Sequence, residues 1–130
     1  MKKNLLLVIL LFAVQLVHAQ SYQLAYGRIN RYSGPANARY TVPASGIKIL
    51  LAEATYTQIR FDRTICDKPV FPSQVKVFKT DSKGEYNFKG LKRGTKYRII
   101  ICDARNGKVY STEIQTPASG NTVRIPDRNI

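Results

Sequence analysis

Tryptophan is absent from this sequence, histidine and methionine occur once each, and cysteine occurs twice. Acidic residues are also scarce: 8 aspartates and glutamates stand against 21 lysines and arginines, and the formal net charge is +13. Metal sites and acid–base catalysis draw mainly on histidine, cysteine and carboxylate side chains. A chain with so few of these groups is therefore a poor candidate for a metalloenzyme or for a hydrolase built on histidine.

The first residues have the pattern of a secretory signal peptide. Two lysines precede an almost unbroken apolar run over residues 5–17, and a small-residue cleavage signal ends at Ala19. We therefore predict a signal peptide over residues 1–19 that is removed, and a single β-sandwich domain over residues 20–130 with its core over 26–126. The apolar run is shorter than the roughly 20 residues that a membrane-spanning helix needs. We expect an exported protein without a membrane span, located in the periplasm, at the cell surface or outside the cell.

Removal of the signal peptide would also remove His18 and leave the mature chain without histidine. The formal charge would become +11, from 19 basic and 8 acidic residues, because only Lys2 and Lys3 are lost. This composition excludes Ser-His-Asp and Cys-His catalytic arrangements, as well as zinc or iron sites built on histidine. Hydrolases that use lysine or paired carboxylates stay open, but no such constellation is visible. We expect no enzyme activity, no metal site and no cofactor.

The two cysteines, Cys66 and Cys102, are predicted to form a disulfide. An even number of cysteines in an exported chain favours this pairing. Their spacing does not fit a zinc site, and two thiolates alone would leave such a site incomplete. The bond would stabilise the fold by roughly 3–4 kcal/mol in the chain-entropy description. The alternative is two buried free thiols.

Short segments with alternating apolar residues recur along the mature chain, separated by Gly, Pro, Asn and Asp, and this pattern indicates β-strands. The predicted strands cover residues 25–32, 46–53, 57–62, 74–80, 85–88, 96–103, 108–116 and 122–126. Residues 96–103 are apolar on both faces, as is typical of a strand at the centre of a sheet. Asn106-Gly107 favours a tight hairpin turn. We therefore predict an all-β sandwich or small barrel, with no strand between residues 33 and 45 and a loop over 63–73.

One short stretch contains residues with well-defined structural roles. Asp81 can bond to the backbone two residues on and start a turn. Tyr86 and Phe88 lie two residues apart and share one face of a strand, while Leu91 can close the end of the core. Tyr97 begins a strand at a position where its hydroxyl can bond to the backbone of the preceding corner. The complete motif consists of Thr80, Asp81, Gly84, Tyr86, Phe88, Leu91, Gly94 and Tyr97.

This motif resembles that of the carboxypeptidase regulatory-like, or transthyretin-like (prealbumin-like), β-sandwich family. The resemblance extends over residues 26–126, because the flanking segments look like the opening and closing strands of that family. It implies a Greek-key sandwich of seven or eight strands that is usually exported and usually not catalytic. The corner around Tyr97 also resembles a fibronectin type III module, the alternative fold, although that family normally carries a core tryptophan. Both alternatives are β-sandwiches, so the fold class is the same.

The positive charge is the main indication of function. Five cations crowd one turn and the start of one strand, and they form the candidate anion-binding site, the turn cluster: Lys89, Lys92, Arg93, Lys96 and Arg98. A second group, Arg28, Arg31 and Arg39, lies near the N-terminus of the mature chain. Such clusters favour an anionic partner, which could be an acidic glycan, lipopolysaccharide or an acidic protein. The alternative is a basic surface that only keeps the protein soluble.

Two functions follow as expectations. The preferred one is an exported, non-catalytic module that binds an anionic component of the envelope or the extracellular space. The alternative is a structural or assembly protein that acts through sheet edges or oligomerisation, with interactions less sensitive to salt. We expect no nucleic acid partner, because export and the lack of the common nucleic-acid-binding motifs both argue against one.

Overall fold

A computed structural model describes residues 23–130, and the predicted signal peptide lies outside the described residues. Within this range the chain forms nine strands and one short helix. In chain order these are β1 (Gln23–Ser33), β2 (Tyr40–Pro43), β3 (Lys48–Glu53), α1 (Arg63–Cys66), β4 (Lys76–Lys79), β5 (Glu85–Leu91), β6 (Lys96–Asp103), β7 (Lys108–Gln115), β8 (Thr122–Arg124) and β9 (Arg128–Asn129).

The strands form two sheets that pack face to face, which confirms the predicted all-β sandwich. The long strand β1 organises a five-stranded sheet: it pairs antiparallel with β5 and β2, and parallel with β8 and β9. The other sheet has four antiparallel strands in the order β4-β3-β6-β7. The Greek-key description and the resemblance to the transthyretin-like family stay predictions.

The main hydrophobic core lies between the two sheets and follows from the alternation of side chains along the strands. Ile99 and Ile101 of β6 point into this core, together with Tyr86 and Phe88 of β5. The intervening residues Ile100 and Cys102 face the opposite side of the four-stranded sheet. The strand β6 is therefore buried on both faces, as the sequence predicted.

A second hydrophobic cluster covers the outer face of the four-stranded sheet. The segment between β3 and β4 folds over this face and buries Ile65 of α1 against Leu50 and Ile100. The prediction of a strand over residues 57–62 is wrong, because this segment pairs with neither sheet. Its alternating apolar residues, Ile59 and Phe61, pack onto the sheet instead.

The predicted loop over residues 63–73 contains the short helix α1 at its start. Asp62 caps this helix by accepting a hydrogen bond from the backbone N–H of Thr64 at 2.9 Å. The disulfide between Cys66 and Cys102 joins the end of α1 to β6, which confirms the predicted pairing. It fixes the covering segment to a central strand of the sheet.

The motif around the corner adopts the geometry expected from the sequence. The carboxylate of Asp81 accepts hydrogen bonds from the backbone N–H groups of Lys83 and Glu85, each at 2.9 Å. Gly84 has φ +73°, and a Cβ there would collide with the carbonyl oxygen of Ile29. The hydroxyl of Tyr97 accepts a hydrogen bond from the N–H of Lys92 at 2.8 Å.

Two edge strands were missed by the sequence analysis. The strand β2 lies where no strand was predicted, because the prolines and glycine around it indicate loops, yet it pairs with the end of β1. The strand β9 is only two residues long and pairs with the middle of β1. The predicted hairpin between β6 and β7 exists, with Gly107 at φ +65°. Its loop has four residues, since Asp103 pairs with Lys108.

Candidate functional site

The turn cluster does not form one continuous face. Lys89 lies on β5 in the five-stranded sheet, whereas Lys96 and Arg98 lie on β6 in the four-stranded sheet. Lys92 and Arg93 occupy the connection between those two strands. Strand alternation and the change of sheet therefore disperse charges that are close together in the sequence.

Three members of the turn cluster interact with neighbouring side chains. Lys92 forms a 3.0 Å ion pair with Glu53, and Arg98 forms a 3.6 Å ion pair with Glu113. The guanidinium of Arg93 donates a 3.3 Å hydrogen bond to Asn121. Anion binding at the turn cluster stays a prediction.

The structure gathers a larger group of cations around a cavity of about 660 Å³ at one end of the sandwich (the basic cavity). It opens between the end of β1, the β2–β3 turn, α1 and the β6–β7 hairpin. The disulfide forms part of its wall. The charged residues that line it are Arg31, Lys48, Arg63, Lys79, Arg105, Lys108, Asp67 and Asp103. Six cations surround two carboxylates, which leaves a formal excess of four positive charges.

A buried ion pair between the two sheets forms the back of the basic cavity. The guanidinium of Arg31 donates to both carboxylate oxygens of Asp103, at 3.0 and 3.1 Å, and the Asp103 side chain is fully buried. Burial raises the pKa of this carboxyl, but the hydrogen bonds and charge of Arg31, helped by Arg105, outweigh that effect. The net result is a pKa below the ordinary value, so Asp103 is a fixed anion that positions Arg31.

Two further cations are held by the wall of the cavity. The ammonium of Lys48 donates a 2.9 Å hydrogen bond to the carbonyl oxygen of Cys66 and lies 5.7 Å from the ring centroid of Phe71. The guanidinium of Arg63 lies against Gly107, where a Cβ would come within 2.7 Å of Nη2. Glycine at this position therefore allows the α1 arginine to approach the hairpin closely.

Most of the positive charge around the cavity has no internal polar partner in the part of the chain that the structure describes. Within residues 23–130, four side chains lining the basic cavity make no ion pair and no hydrogen bond, namely those of Arg63, Lys79, Arg105 and Lys108. All four are exposed. Such cations cost little to reorganise when an anion enters, because no internal partner has to be given up.

Thr80 of the sequence motif shapes the floor of the basic cavity. Its buried hydroxyl donates to the carbonyl oxygen of Ala44 at 2.5 Å and accepts from the N–H of Ile47 at 2.9 Å. Its backbone carbonyl accepts a hydrogen bond from Gly46 at 2.9 Å. These bonds fix the β2–β3 turn, which lines the cavity.

The sequence analysis named Arg31 as part of a basic group but missed the other cavity cations. For three of these cations, the signal that could have found them is their position near the cysteines in the sequence. Arg63 precedes Cys66 by three residues, and Arg105 and Lys108 closely follow Cys102. A disulfide between Cys66 and Cys102 brings these two basic segments close together, so the predicted disulfide also predicts that their charges are neighbours.

The sequence matches no protein-family model, and no curated protein is detectably similar to it. Among residues 23–130, no three histidine, cysteine or carboxylate side chains lie close enough together to hold a metal ion. No helix in the same range is long and apolar enough to cross a membrane.

Proposed function

We propose that this chain is an exported, non-catalytic β-sandwich module that binds an anionic component of the envelope or the extracellular space in the basic cavity. The observation that supports this proposal is the excess of four positive charges around one concave space. A cleft lined by one sign of charge focuses the electric field and raises the local concentration of oppositely charged ligands. The cavity therefore supports anion binding better than the dispersed turn cluster.

The chemistry of the cavity does not favour catalysis. Its two carboxylates are Asp67 and Asp103, and Asp103 is held ionised by Arg31, so it cannot serve as a general acid near neutral pH. The described residues contain no histidine that could replace it. The donors around the cavity can bind an anion, whereas the buried carboxylate at its back is committed to Arg31.

We also propose that the chain belongs to the transthyretin-like sandwich family. The support comes from the sequence motif together with the Asp81 turn and the bonded hydroxyl of Tyr97. Family membership would add nothing about the ligand, because one fold hosts many functions.

The decisive experiment compares two variants that each lose two positive charges. Arg63→Gln with Lys79→Gln removes two of the six cations around the basic cavity, and Lys89→Gln with Lys96→Gln removes two of the five cations of the turn cluster. Binding of a polyuronate and of polyaspartate is measured by biolayer interferometry at near-physiological salt. We expect the cavity variant to weaken binding of both polymers at least about tenfold, and the turn variant less than about threefold.

An equal loss in the two variants would overturn the cavity as the site, because binding would then follow net charge alone. Failure of the wild-type protein to bind either polymer better than an unrelated protein of the same charge would overturn the proposed function. Circular dichroism and thermal unfolding of both variants show whether the fold is retained.

The alternative assembly role depends on the sheet edges. The edge strand β4 carries Lys76 and Lys79, both exposed, and charged edge strands discourage pairing with a second copy. We therefore expect a monomer in sedimentation velocity at low and high salt. A salt-independent dimer would favour the assembly role.

A further inference from the structure

A second concave surface adjoins the basic cavity. This aromatic groove, of about 390 Å³, lies between the ends of β1 and β9 and the β6–β7 hairpin. Its polar and aromatic lining consists of Tyr32, Arg39, Asn106, Lys108, Tyr110 and Asn129. Lys108 lines both the groove and the basic cavity, so a chain-like ligand can pass from one to the other across this residue.

The groove differs chemically from the basic cavity because its walls combine neutral amides and phenols with cations. The Oδ1 of Asn106 accepts from the N–H of Lys108 at 2.9 Å, and the Oδ1 of Asn129 accepts from Asn30 at 3.3 Å. These bonds use the amide oxygens and leave both NH₂ groups as donors. The groove thus offers many donors at neutral as well as charged groups, which suits a ligand rich in neutral and charged oxygens.

Arginine side chains hold the two aromatic rings of the groove. The guanidinium of Arg39 lies 5.8 Å from the ring centroid of Tyr32, and that of Arg128 lies 4.8 Å from the ring centroid of Tyr110. Both guanidinium groups lie within cation–π distance of a ring. Within residues 23–130 neither makes an ion pair or a side-chain hydrogen bond, so their N–H groups are left as donors for a carboxylate. Tyr32 is 48% exposed, so its ring offers apolar area beside those donors.

We propose that the cavity and the groove together bind an acidic polysaccharide. Acidic groups of the polymer would occupy the basic cavity, and the adjoining sugar units would occupy the groove, where their hydroxyl oxygens meet the amides and phenols. The inference rests on the proposed function and specifies its ligand. A small anion would need only the cavity, and it does not explain the donor-rich wall of amides and tyrosines beside it. An acidic peptide is the alternative that polyaspartate binding tests.

The test separates sugar recognition from charge. Tyr32→Ser with Arg39→Gln alters the groove at exposed positions. Tyr26→Ser with Lys83→Gln is the matched control, because Tyr26 is exposed on the same strand and the same face as Tyr32. Lys83, like Arg39, is exposed and makes no ion pair within residues 23–130, so the variant loses the same charge. The probes are a polyuronate, polyaspartate of similar charge and oligo-deoxythymidine. Dissociation constants are measured by biolayer interferometry at fixed salt.

We expect the groove variant to bind the polyuronate at least about tenfold more weakly than wild type, and polyaspartate less than about threefold more weakly. The control variant should weaken both polymers equally and by less than about threefold. An equal loss for polyuronate and polyaspartate in the groove variant would overturn sugar recognition, as would an unchanged affinity. Tighter binding of oligo-deoxythymidine than of polyuronate would also overturn it, in favour of nucleic acid.

Failure of this inference can be told apart from failure of the proposed function. If only the groove is wrong, Arg63→Gln with Lys79→Gln still weakens polyaspartate binding, whereas the groove variant has no selective effect. If the proposed function is wrong, the wild-type protein binds neither acidic polymer more tightly than an unrelated protein of the same charge does.

Discussion

The turn cluster and the basic cavity carry five and six cations, but they arise in opposite ways. The turn cluster is a local run of sequence that β5 and β6 distribute between two sheets. The basic cavity collects residues from five separate parts of the chain, from Arg31 to Lys108. In a β-sandwich, adjacency in the sequence is therefore a poor guide to a charged site, because neighbours along a strand point to opposite faces.

The largest expected effect comes from removing the covalent link that holds the basic cavity together. Replacement of both Cys66 and Cys102 by serine should lower the free energy of unfolding by about 3–4 kcal/mol, because the unfolded chain gains freedom. Guanidinium unfolding measures this change, and the wild-type protein under reducing conditions is the control. Amide exchange should also accelerate in the segment between β3 and β4. A loss below about 1 kcal/mol would contradict this account of the cavity wall.

The buried ion pair behind the basic cavity should follow in size. Asp103→Asn removes the negative charge that faces Arg31 and should lower the free energy of unfolding by about 2–3 kcal/mol, because a largely buried guanidinium loses its partner. Urea unfolding at neutral pH measures the loss. A loss no larger than that of a surface ion pair would show that Arg31 does not need Asp103.

The same carboxylate predicts a loss of stability in acid. Because the folded pKa of Asp103 lies below its ordinary value of about 4, its contribution is complete above that pH and is lost as the pH falls through the folded value. Unfolding free energies of wild type and Asp103→Asn should therefore converge as the pH falls below about 4. A constant difference between them across this range would contradict the assignment.

A substitution in the connection between β5 and β6 tests the contribution of a single, partly buried hydrogen bond. Tyr97→Phe removes the hydroxyl that accepts from the N–H of Lys92 while keeping the buried ring. We expect a loss of about 1 kcal/mol, measured by chemical unfolding. Tyr32→Phe, at an exposed position, is the control and should change stability by less than about 0.5 kcal/mol.

The smallest effect is expected at the surface of the turn cluster. Glu53→Gln removes the carboxylate that pairs with Lys92, whose side chain is 68% exposed. We expect a change below about 0.5 kcal/mol in the free energy of unfolding, because solvent and salt screen this pair. A change as large as that of Asp103→Asn would remove the contrast between the two regions.

The sandwich itself could be predicted because its central strand β6 has apolar residues on both faces. Residues 96–103 alternate between two apolar sets, and the structure buries one set between the sheets and the other beneath the covering segment. The strand predicted over residues 57–62 failed for a non-local reason. Its alternation is real, but its apolar residues pack onto the outer face of the four-stranded sheet, and the local pattern does not distinguish this packing from strand pairing.

The candidate site could be predicted only in part. Positive charge and the disulfide both follow from the sequence, but their combination requires knowing that Arg63 and Lys108 approach the same end of the sandwich. The aromatic groove was even harder to predict from the sequence, since it depends on β9, a two-residue strand with no distinctive pattern. Lys79 gave no local signal, because a lysine on a strand most often faces solvent.

The length of β1 sets the distance between the two ends of the domain. At one end, the buried carboxamide of Gln23 donates to the carbonyl oxygens of Pro117 and Gly120, each at 3.0 Å. At the other end, Arg31 reaches the basic cavity. Eight residue steps of about 3.3 Å place these ends about 26 Å apart. Any tether attached ahead of Gln23, on a biosensor or a cell surface, would therefore join the domain at the end opposite the basic cavity.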